Sequence, residues 1–492
     1  MKANSPTDPL LRDNSNRVRW LLIITIGCLL VVLIAILLPR ADTTTPDRTA
    51  VTNESLNANT ESERAARTSS PRRPMSSARA SLSAPTAEEI VASKLSQFAR
   101  QRRELAHALA RHFKVEVPDD VDRFFDAVAA GHWEKADAIF KSLRHGDNDN
   151  STPRSPDLGK IWRPIQETWG IARETQNWPA QKLLDYGEAV LGSLRPGMVY
   201  LGGTDPGCFI PTLLNETSEG ERHIVFTQNA LANNDYLEHL NFLYGDRLAT
   251  VTAADSQRAF EAYTADAQKR LEHDEQFPNE SKQIRPGENV RMIDGKIQVS
   301  GQTAVMAINE RLFQMLLEKN PDTSFAMEVS FPFLSTYADA APLGPILELR
   351  VQDENNALTR ERAGQSVEYW RATAEKLLSD PEAAESLFPR FAYAKVAAEQ
   401  ADLLLKRGYA AEAEQTLRFA NEIGPGSPEA VFRLLNLLNE QGRFAEALAV
   451  AENTVRTLPP KDRLRPIFGD NPGLNGPLLN AIEALKRLQK GK

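Results

Sequence analysis

Cysteine is nearly missing from this chain of 492 residues: only Cys28 and Cys208 occur. They fall in segments of different character, so the sequence offers neither a disulfide framework nor a C-x-x-C metal or redox pair. Histidine is scarce as well, with seven in all. None falls in H-E-x-x-H spacing, which would set two imidazoles on one helix face around zinc. G-x-S-x-G, G-x-x-x-x-G-K-[ST] and G-x-G-x-x-G are all absent, which removes the usual nucleophile elbow, phosphate loop and dinucleotide turn. A basic excess is lacking too. The net charge is −8, the wrong sign for the positive face of a general nucleic-acid binder. No catalytic residue, metal, cofactor or nucleic-acid partner is therefore expected.

What the chain does have is apolar material, 41% of its residues, enough for a substantial core. The longest apolar run is Trp20 to Leu38, 19 residues without a charge. As a helix it would extend about 28 Å, close to the thickness of a bilayer's hydrocarbon core. It ends in Leu38-Pro39-Arg40, unlike the small-x-small site of a cleaved signal peptide. Lys2, Arg12, Arg17 and Arg19 precede it, so the positive-inside rule places 1–19 in the cytoplasm. The expected molecule is thus a single-pass inner-membrane protein with most of its chain extracytoplasmic or periplasmic. Residues 39–84 are rich in Ser, Thr, Arg and Pro. From 41 to 84 there is no aromatic residue, the composition of a disordered linker.

Order is expected from Pro85, where Thr86 and Glu89 have capping-box spacing. Helices fill 85–157, including FFDAVAAGHWEKADAIF at 124–140. In the loop that follows, Asp147-Asn148-Asp149 fits the D-x-D pattern of sugar-nucleotide metal sites, but three residues in a polar, Pro-flanked loop read first as a solvated linker. Between 158 and 360 helices alternate with short apolar runs, the grammar of an α/β domain. Strands are expected at Met198–Leu201, His223–Thr227, Ser324–Val329 and Ile346–Val351. Asn289–Ile293 and Lys296–Ser300 alternate about Asp294-Gly295, a strong hairpin signal.

From 361 to 492 the pattern is wholly helical, and it repeats. Gly408 and Ala413 recur 34 residues on as Gly442 and Ala447, and Pro425 recurs as Pro459. That is the tetratricopeptide (TPR) period. Glycine permits the tight interhelix turn, alanine the close helix approach, and proline the stop. Gly131 and Ala136 keep the same offset, and 475–490 would form a capping helix. The expected fold is a single transmembrane helix, an α/β central domain and an all-α, TPR-like C-terminal domain.

The best candidate site is Gly202-Gly203-Thr204-Asp205-Pro206-Gly207, which follows a strand and opens a helix. Free N–H groups there could hold an anion or a sugar hydroxyl through Thr204 and Asp205. On the structural reading Asp205 is an N-cap and Pro206 occupies N1. Gln228 and Asn229, after the next strand, could lie beside this loop. Trp133, Trp162, Trp169 and Trp178 could line a carbohydrate surface or pack between helices.

MVYLGGTDPGCFIPT, IVFTQNALANNDYLEHLNFLYGDRL, RPGENVRMIDGKIQVSGQTAVMAIN and MEVSFPFLSTYADAAPLGPILELR occur in that order. Together they resemble a family of uncharacterised bacterial membrane-anchored TPR proteins. More distantly they resemble the extracytoplasmic C-terminal domain of a domain-of-unknown-function family related to transmembrane protein O-mannosyltransferases. The relatives' Gly-Asp-Asn-Asp loop corresponds to Gly203-Thr204-Asp205-Pro206, retained in part. Pro342 and Gly344 match a Pro-x-Gly turn, with Leu343 where a histidine is usual. The multi-pass catalytic portion has no counterpart, so the resemblance implies an accessory domain without the catalyst. The functional expectation is a membrane-anchored extracytoplasmic binding or scaffold protein, engaging a protein or peptide through its TPR helices. The alternative is an accessory or catalytic component of envelope glycan or glycoprotein assembly.

Overall fold

The computed structural model describes residues 84–144, 153–293, 295–328, 336, 339–350, 357–459 and 475–490. The first helical layer comprises α1 (Ala87–Phe113), α2 (Asp119–Ala129), α3 (Trp133–Leu143), the short α4 (Pro156–Gly159), α5 (Trp162–Asn177) and α6 (Ala180–Leu191). The central part runs β1 (Val199–Gly202), α7 (Asp205–Glu216), β2 (Ile224–Thr227), α8 (Asn234–Tyr244), α9 (Ala253–Gln276), β3 (Asn289–Ile293), β4 (Lys296–Ser300), α10 (Gln302–Lys319), β5 (Phe325–Met327), β6 (Ala341–Leu343) and β7 (Ile346–Leu349). Helices then take over: α11 (Arg360–Ser379), α12 (Pro381–Glu385), α13 (Leu387–Lys406), α14 (Ala410–Ile423), α15 (Pro428–Glu440), α16 (Phe444–Thr457) and α17 (Asn475–Lys490).

The expectation of a transmembrane helix, a single-pass inner-membrane placement and an extracytoplasmic body is corrected here. The described chain is mostly helical with a small mixed sheet. Among the described residues no helix is long and apolar enough to cross a membrane. Length alone does not decide this: α1 has 27 residues. It also carries Lys94, Arg100, Arg102, Arg103 and Arg111, charges that a hydrocarbon core would not solvate. The apolar run at 20–38 and the linker up to 83 lie outside the described residues, as do Asp147, Asn148 and Asp149.

The main sheet has the order β2-β1-β5-β7-β6. β1 pairs parallel with both β2 and β5, while β7 runs antiparallel to β5 and to β6. β1, β2, β5 and β7 are buried along their whole lengths, as short strands covered on both faces are; the charge among them, Glu348 of β7, pairs with Arg195. β6 carries no periodic signal and holds Pro342. It is tolerated because β6 forms the edge of the sheet, where a missing N–H leaves no ladder bond unmade. β3 and β4 make a separate two-stranded sheet, with Asn289 opposite Ser300 and Ile293 opposite Lys296.

The repeat has a clear physical expression. Gly408 and Gly442 both adopt left-handed backbone, with φ of 84° and 72°, which lets α13 turn into α14 and α15 into α16. Ala413 and Ala447 are both fully buried, at 0% exposure. Ala397, Gln400, Ala401 and Leu404 of α13 are buried, and so are their counterparts Val431, Leu434, Leu435 and Leu438 of α15. Gly476 and Ala481 stand a further 34 residues on. Ala481 is again buried, so α17 occupies the place of a third second-helix. Gly131 (φ 73°) and buried Ala136 join α2 to α3 in the same way.

The helical end is fastened to the sheet by Gln400. Its Nε2 donates to Gly344 O at 2.8 Å and Ile346 O at 3.0 Å. Its Oε1 accepts from Ser366 Oγ at 3.0 Å and Trp370 Nε1 at 2.9 Å. A larger side chain at the alanine contact should separate paired helices. Ala447→Leu is expected to cost about 1–3 kcal/mol by overpacking. Urea melts of parent and variant would measure it, and equal midpoints would mean that the 34-residue spacing does not reflect a packing requirement.

Candidate functional site

Three parallel strands end on the same side of the sheet, and β1 lies between β2 and β5. The chain leaves β1 for β2 on one flank and returns later to β5 on the other. The carboxyl ends of β1 and β5 therefore form a topological switch point, where open α/β sheets place their ligands. The Gly202–Gly207 turn follows β1, Gln228 and Asn229 follow β2, and Glu328 follows β5.

Glu328 decides the character of this place. It is 1% exposed. Its Oε2 accepts from Gly203 N at 3.0 Å and Thr204 N at 2.8 Å. Thr204 Oγ1 donates across both carboxylate oxygens, at 2.8 and 2.9 Å, and Tyr186 OH donates to Oε1 at 2.9 Å. The backbone N–H groups that could have held an incoming anion are thus taken by the protein's own carboxylate. A Cβ at Gly207 would overlap that carboxylate, which gives the last glycine of the turn its reason. A Cβ at Gly202 would come within 2.5 Å of Cys208 Cα, so the start of α7 also needs a glycine on β1.

All four sequence candidates have defined positions. Thr204, rather than Asp205, is the N-cap of α7: its extended backbone lets Oγ1 accept from Gly207 N at 3.0 Å. The expected cap at Asp205 is corrected accordingly. Asp205 opens the first turn with its side chain 60% exposed, paired to Arg173 Nη2 at 2.5 Å. Gln228 is completely buried, and its Nε2 donates to Glu328 O at 2.7 Å. Asn229 Nδ2 donates to Gly203 O, also at 2.7 Å. Three of the four therefore converge on Glu328 and its turn, while Asp205 faces the rim. Gln228 Oε1 and Asn229 Oδ1 have no hydrogen-bond partner among the described residues. What the crevice leaves open are acceptors, so any small ligand held here would have to donate.

The surroundings suit structure better than catalysis. Burial pushes the Cys208 thiol up to about 12, leaving it protonated and a poor nucleophile. Burial, reinforced by Glu328, drives the Tyr186 and Tyr200 hydroxyls well above the usual phenol range. Tyr200 OH donates to Gly207 O at 2.7 Å. Beside the rim, burial raises the Glu174 carboxyl, partly offset by Arg173; Trp178 Nε1 donates to Glu174 at 3.1 Å. Trp162, Trp169 and Trp178 are buried. Phe140 stacks on Trp169 at 4.4 Å and on Trp162 at 5.2 Å, so these indoles form core rather than a sugar platform.

A second polar cluster, without a sequence signal, lies between α1, α5, α7 and α8. Glu167 receives Arg163 Nε at 2.8 Å and lies 3.1 Å from Arg102 Nε. Burial alone would raise its carboxyl, but Arg163 and Arg102 more than offset this and bring it to about 2. His239 is buried with neither ring nitrogen hydrogen-bonded among the described residues. Burial holds its imidazole down to about 3.

Comparison with family models, curated proteins and solved structures finds no match.

Glu328→Ala should cost more than about 3 kcal/mol, because it strands buried N–H groups. Gly207→Ala should be comparably damaging. Asp205→Asn should change stability by less than about 0.5 kcal/mol, as exposed pairs usually do. Urea melts that reversed this order would show that Asp205, not Glu328, holds the turn. For His239 the folded state binds fewer protons than the unfolded state between its folded value near 3 and its ordinary 6.5. Stability should therefore fall as pH drops below 6.5. From pH 6.0 to 5.0 the loss attributable to His239 approaches about 1.4 kcal/mol per unit. His239→Leu should flatten that slope; an unchanged slope would place its origin elsewhere.

Proposed function

We propose that this chain is a binding or scaffolding protein whose C-terminal helical hairpins are TPR units presenting a surface to a protein or peptide. The observation that carries this reading is the coincidence of the 34-residue period with one repeated geometry: a left-handed glycine and a buried alanine in each hairpin. Such stacked pairs expose one side of their first helices in register. On α13 that side carries half-buried Lys395 and Asp402, with Glu399, only 6% exposed, between them. On α15 it carries Glu429, Arg433 and Asn436, each 34 residues further on. Arg433 Nη2 donates to Glu399 at 2.8 Å and Lys395 lies 3.8 Å from Glu429, so neighbouring repeats are tied across this face. Asp402 and Asn436 continue the same rows.

A role in envelope glycan assembly draws no comparable support. The crevice where a transferase-like site would sit is filled by Glu328, and its remaining groups are acceptors.

The reading is tested by a photo-crosslinking amino acid placed singly at Asp402 and at Asn436 of the full chain, in its native cells. Glu422, exposed on α14, serves as control. A discrete protein adduct at the first two positions and not at the control is the expected result. Equal adducts at all three, or none at any, would overturn the repeat face as the binding surface.

A further inference from the structure

The β3–β4 hairpin is an incomplete sheet held rigidly at its neck. Glu288 enters the neck from β3's approach and is bound by Arg270 and Tyr263 of α9, while Arg285 N donates to it at 2.9 Å. Asp274 accepts from Gln283 N at 2.7 Å and Ile284 N at 3.1 Å. Gly301 (φ 98°) lies so close to Gly287 O that a Cβ would overlap it. The two ends of the excursion are thus pinned together against α9 and α10.

Beyond the neck the hairpin still rests on α9 and α10, but the cover thins towards its turn. Val290 opposite Val299, and Met292 opposite Ile297, share one apolar face. Val290 is buried against the helices, but Met292 is 47% exposed and Ile293 is exposed beside it. Two strands alone are marginal in water; a third strand or a covering helix normally completes them. Among the described residues the outer edges of β3 and β4 have no strand partner, and no backbone group of Lys296–Ser300 bonds outside the hairpin.

The register says which edge can be completed, and by what. Ile293 and Lys296 close a two-residue turn, so they exchange bonds with each other. By alternation, the N–H and C=O groups of Ile297 and Val299 point outward from β4, and those of Val290 and Met292 from β3. A second copy added to β4 about a two-fold axis would pair Ile297 with Val299 of that copy, and Val299 with its Ile297. Gln298 would face Gln298, and Lys296 would face the neutral Ser300. The same operation on β3 would set Arg291 against Arg291, a like-charge pair that destabilises a sheet. We propose that two copies of this chain associate through β4, forming a continuous four-stranded sheet β3-β4-β4-β3 whose apolar face joins Val290, Met292, Ile297 and Val299 of both copies.

Single-cysteine exchange in the full chain tests the register. Gln298→Cys should cross-link to itself under mild oxidation, because the facing Cα atoms of a non-hydrogen-bonded pair lie about 4.5 Å apart, within disulfide reach. Arg291→Cys, equally exposed on β3, should not exceed the parent, whose own Cys28 and Cys208 set the background. Lys296→Cys and Ser300→Cys should each cross-link poorly alone and well when mixed. Val299→Pro removes an outward N–H together with the valine side chain; it should weaken self-association at least tenfold in sedimentation, whereas Val299→Ala, which keeps the N–H, should retain it. Several results would overturn the proposal: a parent monomeric at 100-fold excess over assay concentration, Gln298→Cys no better than Arg291→Cys, or Val299→Pro without effect on association. Cross-linking of Gln298→Cys only to other proteins would overturn it too, in favour of a foreign strand on the same edge.

Discussion

A single carboxylate, that of Glu328, ties together three neighbouring strands of the sheet that lie far apart in sequence. It stands at the end of β5, yet its oxygens are held by the turn after β1 and by a hydroxyl from α6. Gln228, at the end of β2, binds its main-chain oxygen. All three parallel strands thus have their carboxyl ends fixed to one residue. Hydrogen bonds to a charged group are worth about 1.5–3 kcal/mol each when made, and leaving such buried donors unmade costs comparably. Gly207 follows from the same requirement, since it must lack a Cβ for the carboxylate to enter.

This arrangement also resolves the conflict between topology and chemistry. By strand order the crevice is where an open α/β sheet would bind a ligand. By composition its N–H donors and helix N-terminus would suit an anion. The chain supplies that anion itself. The residues that look most like a binding motif are therefore the ones most engaged in holding the fold, and Asp205, the most conspicuous of them, stands outside on the rim with Arg173.

How far the sequence led depended on the range of the interactions concerned. Periodicity and turn chemistry are local, so β3 and β4 occupy the alternating segments either side of Asp294-Gly295, and the glycine–alanine period emerges as packed hairpins. The convergence of Thr204, Gln228 and Asn229 was also legible, because strand ends in a parallel sheet must adjoin. Glu328 was not: it follows Phe325–Met327 as one acid after a three-residue strand, and its 125-residue separation from Gly203 leaves no local trace. The lone acid directly after a buried strand was the available clue. Asp205 misled because a helix start admits either Thr or Asp as cap, and only backbone geometry chooses between them. The Arg102–Glu167–His239 cluster draws on three helices and has no motif at all. β6 escaped because an edge strand containing proline has neither the length nor the alternation of a strand.

The helical end depends on the sheet in turn. A repeat array is ordinarily close to one-dimensional, each unit leaning on its neighbours. Here the first unit departs from that: α13 is buried around most of its circumference, and Gln400 spends its whole amide on the β6–β7 turn and on α11. The position it occupies is matched by Leu434 in the next repeat, also buried, so a polar residue has replaced an apolar one where the neighbour is a sheet carbonyl rather than another repeat. Loss of that amide would leave two carbonyls and an indole N–H buried without partners, a larger penalty than trimming Leu434 of a few methylenes. The repeats are therefore rigidly oriented at one end by hydrogen bonds and propagated at the other by small-residue packing. A surface built this way can present its rows of side chains in fixed register without any contribution from a partner.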